Sequence, residues 1–184
     1  IVSDENCEDI LVTNVRAVDG FDIEKVSEEI SEADIMATAV GVNVLPRIVK
    51  PLASGIRKRW KKGNFEPLNI IICENLIDAN RYLEGLLKRE LAESGEQELF
   101  DKKIGLVEAS IGRMVPVMSE EMKKENILRV CVEEYCELPV DKDAFKGSIP
   151  DIVNMIPFSP FEFFIQRKLF IHNMGHTMVA YLGN

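Results

Sequence analysis

Between residues 34 and 111, three short apolar runs, "DIMATAVG", "PLNIIICEN" and "KKIGLVEASI", alternate with two longer stretches of helical spacing. Runs of this length that stay apolar, instead of alternating with polar residues, predict strands covered on both faces, as in a parallel sheet. Parallel neighbours cannot be joined by a hairpin, so each pair needs a crossover. "NVLPRIVKPLASGIRKRWKKG" and "LIDANRYLEGLLKRELAESG" supply helices of the right length. The chain is therefore expected to be an α/β protein with a doubly wound sheet. Ligands of such sheets bind beyond the carboxyl ends of the strands, which points to "TAVG" at 38–41 and "CEN" at 73–75.

The flanks are less regular. "DILVTNVRAVDG" has the β-branched alternation of a strand ending in an Asp-Gly turn, and "DIEKVSEEISEA" the spacing of a helix. Pro46 suits the first turn of the helix that follows "TAVG", whereas Pro51 predicts a kink or break. After Pro116 the pattern changes, giving an expected boundary between a first domain at 1–116 and a second at 117–184. The acidic "SEEMKKEN" reads as a solvated turn or helix end. "ILRVCVEEYCELPVD" predicts an exposed antiparallel strand with Cys131 and Cys136 on opposite faces. "KGSIPDIVNMIPFSPFEFF" reads as a connector into a closing helix, with Ser159 as N-cap and Glu162 three residues on.

Composition narrows the class of function. The 184 residues are 46% hydrophobic and carry a net charge of −9, which argues for a packed core and against nonspecific nucleic-acid binding. The densest basic run, "RKRWKKG", reads as the solvated end of a helix, although Trp60 within it could stack a base. Apolar runs fall short of the ~20 residues needed to span a membrane, and the polar start is no signal peptide, so a cytoplasmic protein is expected. Cys7, Cys73, Cys131 and Cys136 contain no CxxC pair and read as reduced thiols. The first residue is Ile, and the last follows directly on a helical pattern, so the chain reads as cut at both ends.

The closing segment "RKLFIHNMGHTMVAYLGN" holds the most unusual chemistry. At ~100° per residue, a helix places His176 about 80° and Asn173 about 140° around from Lys168, so all three can address one site. Apolar residues cover the remaining circumference, which predicts a helix buried on more than one side. Burial would lower the pKa of Lys168 toward that of a usable base, and carboxamides could hydrogen-bond an alkoxide. The structural alternative is that Lys168 snorkels to water and leaves Asn173 and His176 as satisfied core groups. His172 and His176 have zinc-ligand spacing, but Asn173 stands where a metalloprotease has its Glu, no third His exists, and no metal is expected. The chain holds no GxGxxG, GxxxxGK[ST] or GxSxG element.

Five stretches, "ADIMATAVGVNVLPRI", "GNFEPLNIIICEN", "IGLVEASIGRMVP", "FKGSIPDI" and "RKLFIHNMGHTMVAYLG", carry a resemblance to the mannitol-type long-chain polyol dehydrogenases, and especially to the mannitol-1-phosphate 5-dehydrogenase branch. The Lys-x4-Asn-x2-His pattern is the most specific of these. The resemblance implies a partial Rossmann-type sheet leading into the start of a mainly helical substrate domain. It makes Lys168 the general base, Asn173 and Asn75 the donors that polarise the substrate oxygen, and His176 a residue that positions substrate. It implies that Thr38, Ala39, Val40 and Gly41, with Asn75, face a nicotinamide cofactor, NAD with NADP not excluded. Arg113 would contact substrate, a small sugar alcohol or sugar phosphate, and no metal takes part. Gly112 departs from the family, which usually has aspartate there, and so opens the choice of sugar. A sugar-acid reductase (tagaturonate or fructuronate) and a noncatalytic sugar-phosphate or nucleotide sensor are the alternatives. The family's glycine-rich start and long helical end would then lie outside this sequence, and oligomeric state is left open.

Overall fold

The computed structural model describes residues 10–92, 95–115 and 117–183. Helix α1 (Ile23–Glu32) leads into β1 (Ile35–Thr38), α2 (Leu45–Lys61), β2 (Leu68–Ile72), α3 (Ala79–Glu90), α4 (Glu96–Lys103) and β3 (Ile104–Glu108). The three strands form a parallel sheet in the order β1-β2-β3, with Thr38 level with Ile72 and Ile72 level with Glu108. Strand ends, crossovers and helices thus follow the expected rhythm, and the carboxyl ends line up along one edge.

Alternation along β2 assigns its faces. Leu68, Ile70 and Ile72 join Val49, Leu52, Ile56, Leu83, Leu87 and Phe100 in the main core. Ile71 turns the other way, to Val107, Ala109 and Val140. Every residue of β2 is buried, and each large apolar side chain removed from water contributes about 1.5–3 kcal/mol. Asn69 shares the Ile71 side and is buried, yet satisfied: its amide donates to the Lys146 carbonyl (3.1 Å) and its oxygen accepts from the Lys146 N–H (2.8 Å). The side chain thus mimics one more rung of sheet and ties the 144–146 loop to the centre of the domain. Gly105 leaves it room, since a Cβ there would stand 2.1 Å from the Asn69 oxygen.

Helices α1 and α2 lie unusually close. A Cβ on Gly55 would come within 2.5 Å of the Ile30 side chain. Gly55→Ala is expected to destabilise the fold by about 1–3 kcal/mol through overpacking. Urea unfolding measures this, and adding Ile30→Ala to the same chain should recover part of the loss if the clash is the cause.

Several expectations are corrected. Among residues 10–20 no strand forms; Ile10, Leu11, Val12 and Val15 are exposed, and without a neighbour to complete its hydrogen bonds a lone alternating segment has no reason to extend. Pro51 does not break α2, which runs through it as one helix. "RKRWKKG" is not simply solvated, because Arg59 and Trp60 are buried and the indole belongs to the core, out of reach of any base. Helix α4 was hidden within the strand approach. Residues 119–126 do hold a short helix, α5 (Glu120–Glu125).

The expected antiparallel strand is confined to its last residues, β4 (Leu138–Asp141), which pairs in parallel with β5 (Met155–Phe158) inside the supposed connector. Its one antiparallel feature is a single bridge from Val140 to Ala109. Cys131 and Cys136 therefore lie outside any strand; they and Cys73 are free thiols, while Cys7 and Pro116 fall outside the described residues. Ser159 caps no helix: α6 (Glu162–Arg167) begins after Phe161, and the Ser159 hydroxyl bonds the Asp143 carboxylate. No helix among the described residues is long and apolar enough to cross a membrane.

Candidate functional site

Two chain segments distant in sequence meet at the carboxyl edge of the sheet. One is the exit of β2, Cys73–Glu74–Asn75. The other is the closing helix, in which α6 passes into a π-helical turn at Lys168–Asn173 and then into α7 (Met174–Leu182). An aromatic cluster fixes the entry. Phe164 packs edge-on against Phe158 at 5.1 Å and Phe163 at 5.4 Å and stacks with Phe161 at 6.0 Å. Phe161 and Phe164 are buried, so the turn that delivers Lys168 is anchored although the helix beyond it is not.

The Lys168 amine donates to the Asn75 side-chain oxygen at 3.3 Å. Partial burial draws the Lys168 pKa below its ordinary value, the direction a general base needs. With its oxygen committed to the ammonium, the Asn75 amide keeps both N–H groups for another acceptor.

The π turn alters the expected geometry. A turn of i→i+5 bonds absorbs one extra residue, so everything after it is rotated back by about 100° relative to an uninterrupted α-helix. On that count Asn173 moves from about 140° to about 40° from Lys168, and His176 from about 80° to about −20°. The turn thus draws both toward the lysine's face. Neither side chain bonds Lys168 or Asn75 among the described residues. His176 packs edge-on against His172 at 4.6 Å, and the Asn173 carbonyl accepts from the Thr177 hydroxyl. The expectation of a helix buried on several sides is overturned: no residue of the π turn or of α7 is buried, and Phe170, Val179 and Leu182 are 66%, 73% and 76% exposed. Asn173 and His176 are consequently not satisfied core groups either.

Beside this pair, the turn after β1 presents Ala39, Val40 and Gly41 at the surface, with Thr38 buried behind them. The Thr38 carbonyl accepts from the Cys73 N–H at 2.9 Å, while its hydroxyl has no partner. Gly41 has φ of +86°, which an L side chain rarely adopts. One residue here escaped the sequence reading. Glu74, 8% exposed, accepts from the Val40 and Gly41 N–H groups with one oxygen each, both at 2.8 Å. Its signal was visible, an acid immediately after the four apolar residues Ile70 to Cys73, where burial demands partners.

Arg113 is placed elsewhere in its bonding: its Nε donates to the Glu133 carbonyl at 3.0 Å, and the Glu133 carboxylate takes the Met114 N–H. A cavity of about 480 Å³ is lined by residues of the loop after Asn75 and of the helix before Lys168, among them Asp78, Arg81, Glu108, Asp141, Asp143 and Glu162. Burial is the main cause that pushes the Glu108 and Asp141 carboxyls above the usual carboxylate range. Among the described residues no cluster of three or more His, Cys, Asp or Glu could hold a metal ion.

The carboxyl edge of the sheet thus brings together an exposed turn, a buried hydroxyl without a partner, and a carboxamide next to an amine of lowered pKa. Comparison with known proteins identifies the family and the fold. The family described as "Mannitol dehydrogenase Rossmann domain" matches residues 1–154. A solved structure, a D-sorbitol dehydrogenase in substrate-free form, superposes with a TM-score of 0.71 at 14% identity, over 88% of this chain and 41% of that one. At that identity the likeness is one of fold, and the chain spans less than half of its neighbour.

Proposed function

The chain belongs to the mannitol dehydrogenase Rossmann-domain family, and from that membership we propose that it is the part of an NAD-dependent polyol dehydrogenase that carries the base and the nicotinamide-facing edge. The family is one of polyol oxidoreductases, and its Rossmann domain implies a nicotinamide cofactor. The observation that carries the proposal is the Lys168–Asn75 contact, which joins two segments 93 residues apart at the carboxyl edge of the sheet.

In this reading the neutral Lys168 amine takes the proton from the substrate hydroxyl. The Asn75 amide, joined by Asn173, donates to the oxygen as it gains charge. His176 orients a neighbouring hydroxyl, and Arg113 serves the substrate from the 113–133 segment. Thr38 to Gly41 hold the nicotinamide end of the cofactor, which when bound accepts or returns the hydride. In the reverse direction Lys168, as ammonium, protonates the ketose oxygen. Residues 1–116 would form the sheet domain and 117–184 lead into the substrate domain, the whole working in the cytoplasm on a small-molecule sugar.

The resemblance favours mannitol 1-phosphate and fructose 6-phosphate as the pair. A specific observation favours a neutral polyol instead: five carboxylates against a single cation, Arg81, line the cavity, a balance that disfavours a phosphate ester while the carboxylates accept hydrogen bonds from sugar hydroxyls. NADH and NADPH oxidation by the full-length protein against fructose 6-phosphate, fructose, tagaturonate and fructuronate decides between them. Turnover of fructose 6-phosphate supports the phosphorylated pair, and turnover of fructose the neutral one. A uronate preference would move the protein to the sugar-acid reductases. Binding of NADH with no turnover of any ketose would sink the catalytic reading in favour of a sensor.

A further inference from the structure

We infer that Glu74 is a positioning residue for the cofactor-facing turn, fixing Val40 and Gly41 in the conformation that receives the nicotinamide. This deepens the redox reading above and rests on it for its consequence in turnover.

The exit of β2 makes three different connections in three successive residues. The Cys73 N–H extends the sheet to the Thr38 carbonyl, the Glu74 carboxylate spans to two N–H groups of the next turn, and the Asn75 oxygen takes the Lys168 ammonium. The turn held by Glu74 runs straight into a helix, because the Gly41 carbonyl accepts from the N–H groups of Val44 and Leu45. Gly41 is therefore gripped on both sides, by a carboxylate at its N–H and by α2 at its carbonyl. Consecutive N–H groups that converge in this way make an anion-binding concavity, and here the anion is the chain's own. The same two N–H groups are then unavailable to a phosphate, so what the turn offers a cofactor is its outer surface, where Val40 is 39% exposed.

A carboxylate is the side chain this geometry requires. Two converging donors need two acceptor oxygens, and an ionised Glu supplies only acceptors. A glutamine of equal size would keep one bond and set its own NH2 against the other N–H. The hydrogen bonds are charge-assisted and largely out of water, so their loss should be felt in the turn's order.

The experiment is Glu74→Gln in the full-length protein. The dissociation constant for NADH, read by nicotinamide fluorescence, is expected to rise about tenfold, the equivalent of one hydrogen bond to a charged acceptor, while the ketose KM at saturating NADH stays within about twofold. Amide exchange at Val40 and Gly41 should accelerate in parallel. A variant with unchanged NADH affinity, or with only a smaller active fraction, overturns the proposal, since a merely structural role would lower yield or melting temperature without moving the cofactor constant. Should the variant not fold, the wild-type protein gives the answer: Val40 and Gly41 amides that exchange without protection remove the clamp, and protected amides uphold it. If the wild type turns over no ketose yet Glu74→Gln still weakens NADH binding, the clamp stands and the redox reading fails.

Discussion

Lys168→Ala is expected to lower turnover about 10³-fold, within the 10²–10⁴ span of a lost general base, while NADH affinity and the cooperativity of unfolding are retained. The sign of the pH dependence follows from the burial that pulls the Lys168 pKa down. Alcohol oxidation needs the free amine, so its rate should rise with pH and level off below the pH at which an ordinary lysine titrates. Ketose reduction needs the ammonium and should fall through the same pKa. Both limbs should be absent from the alanine variant. Stability carries an independent check. A lysine whose folded pKa lies below its unfolded one costs stability at every pH below the folded value, and the cost fades as pH rises through the two pKa values. Lys168→Met should therefore melt no lower than wild type at pH 7. A variant that loses activity only because it unfolds would contradict this, and one that keeps full turnover would remove Lys168 from the chemistry.

The sheet and its strand ends were legible in the sequence because "DIMAT", "LNIII" and "IGLVE" are short apolar runs bounded by helical spacing, although only the central "LNIII" is buried on both faces. Nothing in local pattern links Asn75 with Lys168, 93 residues apart; the ligand edge of a parallel sheet singled out Asn75 and the unusual helix singled out Lys168, and the family resemblance gave the pair its roles. Where the reading failed, tertiary context had overridden local preference. β-Branched residues at 10–20 and 127–137 alternate as strands do, but a strand exists only where a partner ladder is present. The closing helix is as apolar as a buried one, yet the described residues place nothing over Phe170, Val179 or Leu182. Periodicity reports which face a helix would bury and is silent on whether a partner lies on it. The π turn lay beyond reach for a related reason, because a single extra residue in the hydrogen-bond ladder leaves no mark on composition, although it rotates the side chains that follow Lys168.

The largest effect on folding is expected at Arg59, 2% exposed in a helix end that reads from sequence as surface. Its guanidinium donates to the Ser31 and Ala33 carbonyls at 3.2 and 2.9 Å and to the Glu66 carbonyl at 3.3 Å. It therefore caps the open end of α1 from α2 and also holds the approach to β2. Burial draws its pKa down, and the charges of Asp34 and Glu66 oppose that shift. Replacing a buried ion together with its partner by apolar groups is often neutral, but no carboxylate leaves with Arg59. Arg59→Leu would instead deprive three backbone carbonyls of a charge-assisted bond, and the Ser31 carbonyl, whose bond is fully buried, would be left without a replacement. A loss of about 3–5 kcal/mol is expected from urea unfolding, a large share of the 5–15 kcal/mol typical of a domain. Arg59→Lys should recover little, because a point ammonium cannot reach acceptors that diverge on both sides of a planar fork. If Leu proves neutral, the carbonyls must find other donors, and the junction of α1, α2 and β2 is held by the Ile30–Gly55 contact and its apolar neighbours alone.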